Sequence, residues 1–546
     1  MILTGLIPAG ANGDPPASEF SKLPLVPLPV GVTRLGTTIP GYLPADDAGV
    51  LESPRRLVLV GGIDGDARST QIVEHLATQF FGPEAANWRK RWTLAVVPRV
   101  QPDDGPARLL TAFPPPDNSY TSETVPEAQY LWRWLAINGS DVVVEVRAAE
   151  TAGWHGPGVA NPLVKGELAQ ALNAEDVANV GKIPAWRYDA TADVSLDDFL
   201  TQLERLTPTG RSPARRTLQA RASRTPLEVA RQLEAVYGHK LDPVEYLQGT
   251  AVVGRLRLSE LTNDAAMRKD VERIASAWVG KPTLSEKSSG SNFAGHWIFA
   301  ELARREPNPG YVALVRQVAD RGFDANGKPL PAMPTHSEMS DAVFMSTPIL
   351  VEAGRLTGDA KYYEMAARHL TFMTNLNRRA DGLHRHSPLD ETAWGRGNGF
   401  PALGLAWCLD VIPEDRPERA VMLEAFKTHI AAVLPHQDAT GMWHQVIDHP
   451  ESYRELTSTC MITYALLRGR QQGWLDSSVE PAIERAWEAL KLRIGEDGVL
   501  FDVCTGTGKQ KSLREYYDRT AILGKDARGG AMSLLVSTEY ASWKPQ

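Results

Sequence analysis

The chain has only three cysteines in 546 residues, Cys408, Cys460 and Cys504. Odd in number and far apart, they exclude a disulfide framework and any CxxC metal or redox motif. They are expected to be small buried apolar side chains. Long apolar runs are lacking too: no stretch reaches the roughly 20 residues that span a bilayer, so no membrane partner is expected. Basic residues are in deficit, with 58 Lys and Arg against 66 Asp and Glu, for a formal charge of -8. That balance argues against nucleic acid, whose binders present a basic face. GxxxxGK[ST] and HExxH are missing, and VCTGTGKQKS (503–512) lacks the glycine spacing of a phosphate loop. No cofactor and no metal are therefore expected. The start, MILTGLIPAGANGDPPASEF, has no basic region ahead of its short apolar run. It reads as no more than the remnant of a secretion signal, which leaves a periplasmic or secreted location open beside a cytoplasmic one.

What is present divides into two rhythms. Up to about residue 220, near-continuous apolar runs alternate with helical segments. RRLVLVGG (55–62), WTLAVVPRV (92–100) and DVVVEVRA (141–148) read as strands buried on both faces of a mostly parallel sheet. With RSTQIVEHLATQFF and TVPEAQYLWRWLAIN between them, the pattern is α/β. From about 224 onward strand signals nearly vanish. Ten or more segments repeat apolar residues at three- and four-residue spacing, each a helix with one buried stripe. Recurrent helical hairpins, such as VEAGRLTGDAKYYEMAARHL, suggest a closed ring of hairpins. The expected architecture is multidomain: an extension over 1–31, an α/β domain over 32–223 and an all-α toroid over 224–546.

Chemistry concentrates in three loops of the second half, each entering a long apolar helix. THSEMSDAVFM (335–345) carries His336, Glu338 and Asp341, the last at a helix start where an N-cap is its commonest role. GLHRHSPLDETAWGRGNG (382–399) carries His386, Trp394, Arg396 and Asn398, the glycines forming a turn before a helix from Phe400. GMWHQVIDHPESYRELTST (441–459) carries Trp443 and His444. Aromatic faces suit pyranose C–H groups, Arg396 suits a bidentate carboxylate contact, and a buried carboxyl such as Asp341 can act as an acid. The chemistry indicated is that of sugars.

Taken in order, DAVFMSTPILVEAGRLTGDAKYY, DGLHRH, WGRGNGF, GMWHQVIDHPESYRELTST and YALLRGRQQGWLD resemble glycoside hydrolase families 88 and 105, the unsaturated uronyl hydrolases. The resemblance covers roughly 245–535 and implies an (α/α)6 barrel. It also implies removal of a terminal 4,5-unsaturated uronic acid from an oligosaccharide, by protonation of a vinyl ether and addition of water at C5. It makes Asp341 the proton donor, with Trp394, Arg396 and His386 as substrate binders and Asn398 as the tie of the glycine-rich loop; His336, Trp443 and His444 are further candidate binders. One departure stands out. Where the family has a second Asp, SSGSNFAGHW (288–297) offers Ser291 or Asn292. Glu338, three residues before Asp341, could then share its helix face and supply a second carboxylate. Such a pair would also serve an exo-acting β-glucuronidase on saturated substrates. A non-catalytic glycan-binding protein is the alternative from another class.

The first half, through LGTTIPGYLP, LVLVGGIDGDARST and DVVVEVRAAE, resembles zinc carboxypeptidases. Asp64 and Ala67 stand where that resemblance expects His and Glu, and Arg147 where it expects a later His. These residues cannot form a zinc ligand set. A degenerate, metal-free scaffold is expected, with Asp64 and Arg147 paired.

Overall fold

The computed structural model describes residues 19–45, 54–103, 109–116, 120, 125–138 and 141–543. The apolar start read as a signal remnant lies outside the described residues. Seven strands make one sheet: β1 (Leu25–Pro27), β2 (Tyr42–Pro44), β3 (Arg55–Val60), β4 (Trp92–Val97), β5 (Val142–Ala148), β6 (Gly153–His155) and β7 (Ala185–Ala190). Their order is β1-β2-β4-β3-β5-β7-β6. The central β4, β3, β5 and β7 are parallel, and the edges are antiparallel. Two-sided burial explains the unbroken apolar runs: Leu57, Val58, Leu59 and Val60 alternate between two separate cores, one on each face of the sheet. Because β1 pairs within this sheet, residues 25–31 are part of the α/β domain and not of an extension.

Twelve helices follow. The outer set is α1 (Pro226–Glu234), α3 (Ala265–Ser276), α5 (Pro309–Ala319), α7 (Lys361–Asn377), α9 (Pro417–Val433) and α11 (Glu480–Arg493). The inner set is α2 (Tyr246–Leu261), α4 (Trp297–Arg305, preceded by a short turn of helix over Gly290–Gly295), α6 (Ala342–Thr357), α8 (Gly395–Val411), α10 (Leu456–Gln471) and α12 (Ala527–Trp543). Inner helices pack each on the next, and α12 returns to α2, so the ring closes. A single buried stripe describes the outer helices only. The inner ones are buried nearly all round, as expected of helices enclosed by others.

Alternation of inner and outer helices makes all six inner helices start at the same end of the ring. At the opposite end each one contributes to a buried belt of charge. Arg257 on α2 meets Glu301 on α4 at 2.6 Å and Glu539 on α12 at 3.6 Å. Arg304 meets Glu352 on α6 at 3.0 Å, and Arg468 on α10 meets Asp410 on α8 at 2.7 Å and Glu539 at 3.0 Å. Glu301 also serves Arg304 and Arg305, at 2.9 and 2.5 Å. Burial opposes its ionisation, but these three arginines outweigh burial and hold its carboxyl far below the usual range.

The two domains share a core. Trp394, Val446, Tyr453, Phe501, Tyr516 and Tyr517 of the second belong to the same apolar cluster as Leu131, Trp134 and Val143 of the first. Strands β8 (Leu500–Cys504) and β9 (Ala521–Gly524), an antiparallel pair before α12, form the seam. Arg133 on the helix Pro126–Ile137 pairs with Asp502 of β8 at 2.9 Å, both buried.

Removing one partner of a buried ion network leaves charge without compensation, at a cost of about 3–5 kcal/mol. Glu301→Gln is therefore expected to lower the thermal midpoint by several degrees. Arg273→Ala, which breaks an exposed pair with Asp270, is expected to leave it almost unchanged. Melting curves of the two variants beside the parent check this.

Candidate active site

Because the inner helices start together, their first turns converge on one mouth. A cavity of about 210 Å3 opens there. Into it come Tyr246 from α2, Ser289 to Ser291 ahead of α4, Asp341 and Met345 at α6, Trp394, Arg396 and Phe400 at α8, and Arg528 from α12. The segment before α6 adds Thr335, His336 and Ser337, and the loop after β8 adds Gly506 and Thr507. Helix N-termini carry partial positive charge, so this mouth favours an anionic ligand.

Asp341 occupies the N-cap position of α6, yet its side chain makes no capping bond. Ser340 is engaged instead, its backbone N donating to the His386 carbonyl at 2.9 Å and its Oγ to the Gly397 carbonyl at 2.7 Å. Asp341 is left buried with Oδ1 unpartnered. Burial lifts its carboxyl to about 7, against the opposing pull of Arg396. The nearest titratable neighbour is His386, with Nε2 3.5 Å from Asp341 Oδ1. Burial first, then Arg396 and Lys509, push that imidazole down to about 3, so it is neutral. Its Nδ1 lies 2.9 Å from the Tyr516 hydroxyl, which already accepts from Gln510 N.

The glycine-rich stretch differs from its expected form. Helix α8 begins at Gly395, so its glycines lie inside the first turns and not in a loop. They permit close approach. A Cβ at Gly395 would overlap the His444 carbonyl oxygen, and one at Gly399 would stand 2.9 Å from Met461 Sδ. Both terminal nitrogens of Arg396 donate to the backbone, to the Cys504 carbonyl at 2.7 Å and the Thr505 carbonyl at 2.8 Å, while its buried Nε has no partner. One N–H on each terminal nitrogen is thereby taken up by the backbone. The guanidinium lies 4.6 Å from the Trp394 ring centroid, and the His386 ring packs 4.4 Å from Trp394. Asn398 Nδ2 donates to the carbonyls of His384 and Trp394, and its Oδ1 accepts from His384 N.

Glu338 does not share a helix face with Asp341. It sits in a turn ahead of α6 with φ of 60°, exposed, its carboxylate held by Lys509 at 2.9 Å and shifted down by that contact. His336 lines the cavity, is partly buried, and has its imidazole shifted down by burial. Trp443 and His444 lie outside it. Trp443 is a core residue whose Nε1 donates to the Val433 carbonyl, and His444 is buried between the Ser452 carbonyl and Asp438. Of the two candidates for the place of a second Asp, Ser291 lines the cavity, whereas Asn292 closes a capping box with Ser289. Among the described residues lining this cavity, Asp341 is the only carboxylate.

Sequence reasoning missed Tyr246, Phe400 and Arg528. Tyr246 and Arg528 lie in the first turns of the first and last inner helices, remote in the chain from the other loops. Their common signal is that position: the first turns of α2, α6, α8 and α12 all reach the mouth.

In the α/β domain, Arg147 pairs with Glu145 and Glu167 and not with Asp64. Asp64 accepts instead from the Ser69 hydroxyl, which also accepts from Ala148 N. These residues do not fit a zinc site.

Comparison with known proteins bears on the toroid. A model described as Glycosyl Hydrolase Family 88 matches residues 224–544. An unsaturated 3S-rhamnoglycuronyl hydrolase of Formosa agariphila is 26% identical over 290 residues, 47% of this chain and 76% of that protein. The unsaturated rhamnogalacturonyl hydrolase YesR of Bacillus subtilis is 26% identical over 185 residues, 32% of this chain and 52% of that one. Among solved structures, a glycosyl hydrolase family 88 protein from Bacteroides vulgatus superposes with a TM-score of 0.51 at 18% identity, covering 59% of this chain and all of that one. A family 105 glycoside hydrolase of C. acetobutylicum gives 0.51 at 19% identity, covering 58% and 99%. These likenesses show the helical toroid.

A carboxyl whose folded pKa is raised binds its proton more tightly in the folded state. Ionisation of the unfolded chain then works against folding as pH rises from the ordinary Asp value toward 7, and the cost persists above. Asp341→Asn is accordingly expected to raise the thermal midpoint at pH 8, with the gain shrinking toward pH 4. Melts of both proteins across that range read it out.

Proposed function

This chain belongs to Glycosyl Hydrolase Family 88 and is a glycosidase, and we propose that it removes a terminal 4,5-unsaturated uronic acid from an oligosaccharide, with Asp341 as the acid. The observation that carries this reading is a lone carboxyl, buried in the cavity and still protonated near neutral pH. Relatives whose names specify unsaturated uronyl substrates support it. So does the cavity, at about 210 Å3 smaller than the roughly 300–1,000 Å3 of ordinary ligand pockets, which suits one terminal ring.

Asp341 gives its proton to C4 of the enol ether. Positive charge develops at C5 and the ring oxygen, and water adds at C5 while a base takes its proton. Because the steps are consecutive, the Asp341 carboxylate left by the first can serve as the base of the second. The resulting hemiketal opens by breaking the bond from C5 to the ring oxygen, giving a C5 ketone and a hemiacetal at C1. The hemiacetal collapses to an aldehyde as its C1–O bond to the shortened saccharide breaks and that oxygen takes up a proton. Net consumption is one water. His386 Nε2, 3.5 Å away, faces the carboxylate as its charge appears. Arg396 and Arg528 both line the cavity as cations for the uronate, and one terminal nitrogen of Arg528 also holds Asp526 at 2.7 Å. Trp394 and His336 complete the walls. In the same reading the N-terminal domain is a carboxypeptidase-like scaffold without zinc, supported by its Asp64, Ala67 and Arg147.

An acid and a base flanking a glycosidic bond, as hydrolysis of a saturated glucuronide requires, would need a second carboxylate, and Glu338 is exposed and held by Lys509. The test sets an unsaturated uronyl disaccharide beside p-nitrophenyl β-glucuronide. The parent should bleach the ultraviolet absorbance of the first and spare the second. Its rate should fall as pH rises through about 7, where Asp341 loses its proton. Asp341→Asn should lose about 100-fold or more, and Arg528→Met should raise KM more than it lowers kcat. Nitrophenol release without bleaching would sink the hydration mechanism, and sugar binding without either reaction would make the protein a glycan binder.

A further inference from the structure

Where the helix Pro126–Ile137 of the first domain closes over β8 and α11 of the second, the seam encloses a cavity of about 20 Å3. All of its lining residues are buried. Three of them are arginines: Arg133, Arg454 and Arg493. A guanidinium keeps its charge at any ordinary pH, and a charge withdrawn from water requires a counter-charge close by.

Two of the three have one. Arg133 holds Asp502 at 2.9 Å, and Arg454 holds Asp438 at 2.5 Å. Arg493 is different. It is 3% exposed, and its hydrogen bond is a long one, 3.3 Å from Nη1 to the Ala489 carbonyl on its own helix. Its Nε has no partner, and no carboxylate among the described residues pairs with it. Burial and the neighbouring Arg454 pull its guanidinium down to about 10, which leaves it charged at neutral pH. On the same cavity, the hydroxyls of Tyr130 and Tyr453 also have no hydrogen-bond partner.

We propose that this seam cavity binds one monatomic anion, chloride by size and charge, against the Arg493 guanidinium. A water-sized site needs roughly 10–15 Å3, so about 20 Å3 admits a single small ion and excludes sulfate, phosphate or any organic carboxylate. Three guanidiniums, of Arg133, Arg454 and Arg493, share the two carboxylates of Asp502 and Asp438. One positive charge is therefore in excess and matches one monovalent anion, whereas a water molecule in the same place would leave that excess. The ion ties the domains together, since Tyr130 and Arg133 come from the first and Tyr453, Arg493 and Asp502 from the second.

A ligand that binds only the folded protein raises its melting temperature in a saturable way. Thermal melts of the full chain in sodium chloride and in sodium gluconate, at matched ionic strength, provide the measurement. The expected result is a midpoint several degrees higher in chloride, reaching a plateau, with bromide equivalent, and the same midpoint in both salts for Arg493→Met. Equal midpoints for the parent in chloride and gluconate would overturn the proposal, and so would a chloride gain that survives in Arg493→Met. Should that variant fail to fold, parent crystals grown in bromide decide: anomalous density in the cavity supports the site, and its absence refutes it.

Discussion

Two hydrogen bonds, from the Arg396 guanidinium to the carbonyls of Cys504 and Thr505, hold the functional end of this molecule together. They fasten the first turn of α8 to the end of β8. That strand is in turn fastened to the first domain through Asp502 and Arg133. Trp394, packed against Arg396 and His386, belongs to the apolar cluster that the two domains share. The α/β domain is therefore a continuation of the wall behind the active-site mouth. Its lack of a fitting zinc ligand set is consistent with a domain that serves by packing.

The same guanidinium sets the electrostatics. A buried Arg beside a buried Asp ordinarily drives the carboxyl toward ionisation. Here burial wins, and Asp341 stays near 7. The geometry explains why: both terminal nitrogens of Arg396 point at carbonyl oxygens, so the cation is solvated by the backbone and makes no ion pair with Asp341. Arg396 pulls the carboxyl down through space and, secondary to burial, also helps keep His386 neutral. An acid that is protonated and a histidine that is not can then face each other across 3.5 Å without neutralising one another.

How much of this was legible in the sequence depends on the kind of signal. Apolar runs at 55–60, 92–97 and 142–148 announce strands because two-sided burial removes the alternation that would otherwise betray a sheet face. The ring of hairpins was legible in the helical repeat, and Asp341 in its motif. Pair geometry was not. Glu338 was expected on a helix face with Asp341 because three residues separate them, but the helix begins only at Ala342, and a left-handed turn at Ser337 and Glu338 sends the carboxylate outward to Lys509. Trp443 and His444 looked like site residues because they share a loop with polar neighbours. Their own hydrogen bonds, to Val433 and to Ser452, turn them inward. Tyr246 and Arg528 carry no local motif, and closure of the ring alone brings the first and last inner helices together.

The glycines of WGRGNG illustrate the difference between composition and cause. A cluster of glycines suggests a flexible turn, yet none of Gly395, Gly397 and Gly399 adopts a positive φ, and all lie within α8. Their role is volume. Inner helices can pack this closely around the cavity only if some of them cross with no side chain between, and α8 does so against α10 at Gly399 and against α6 at Gly404, where a Cβ would stand 2.7 Å from Phe344 Cα. Glycine in a helix costs about 1 kcal/mol relative to alanine. Burial of the whole helix offsets that cost, and close packing sets Trp394, Arg396 and Asp341 around one cavity.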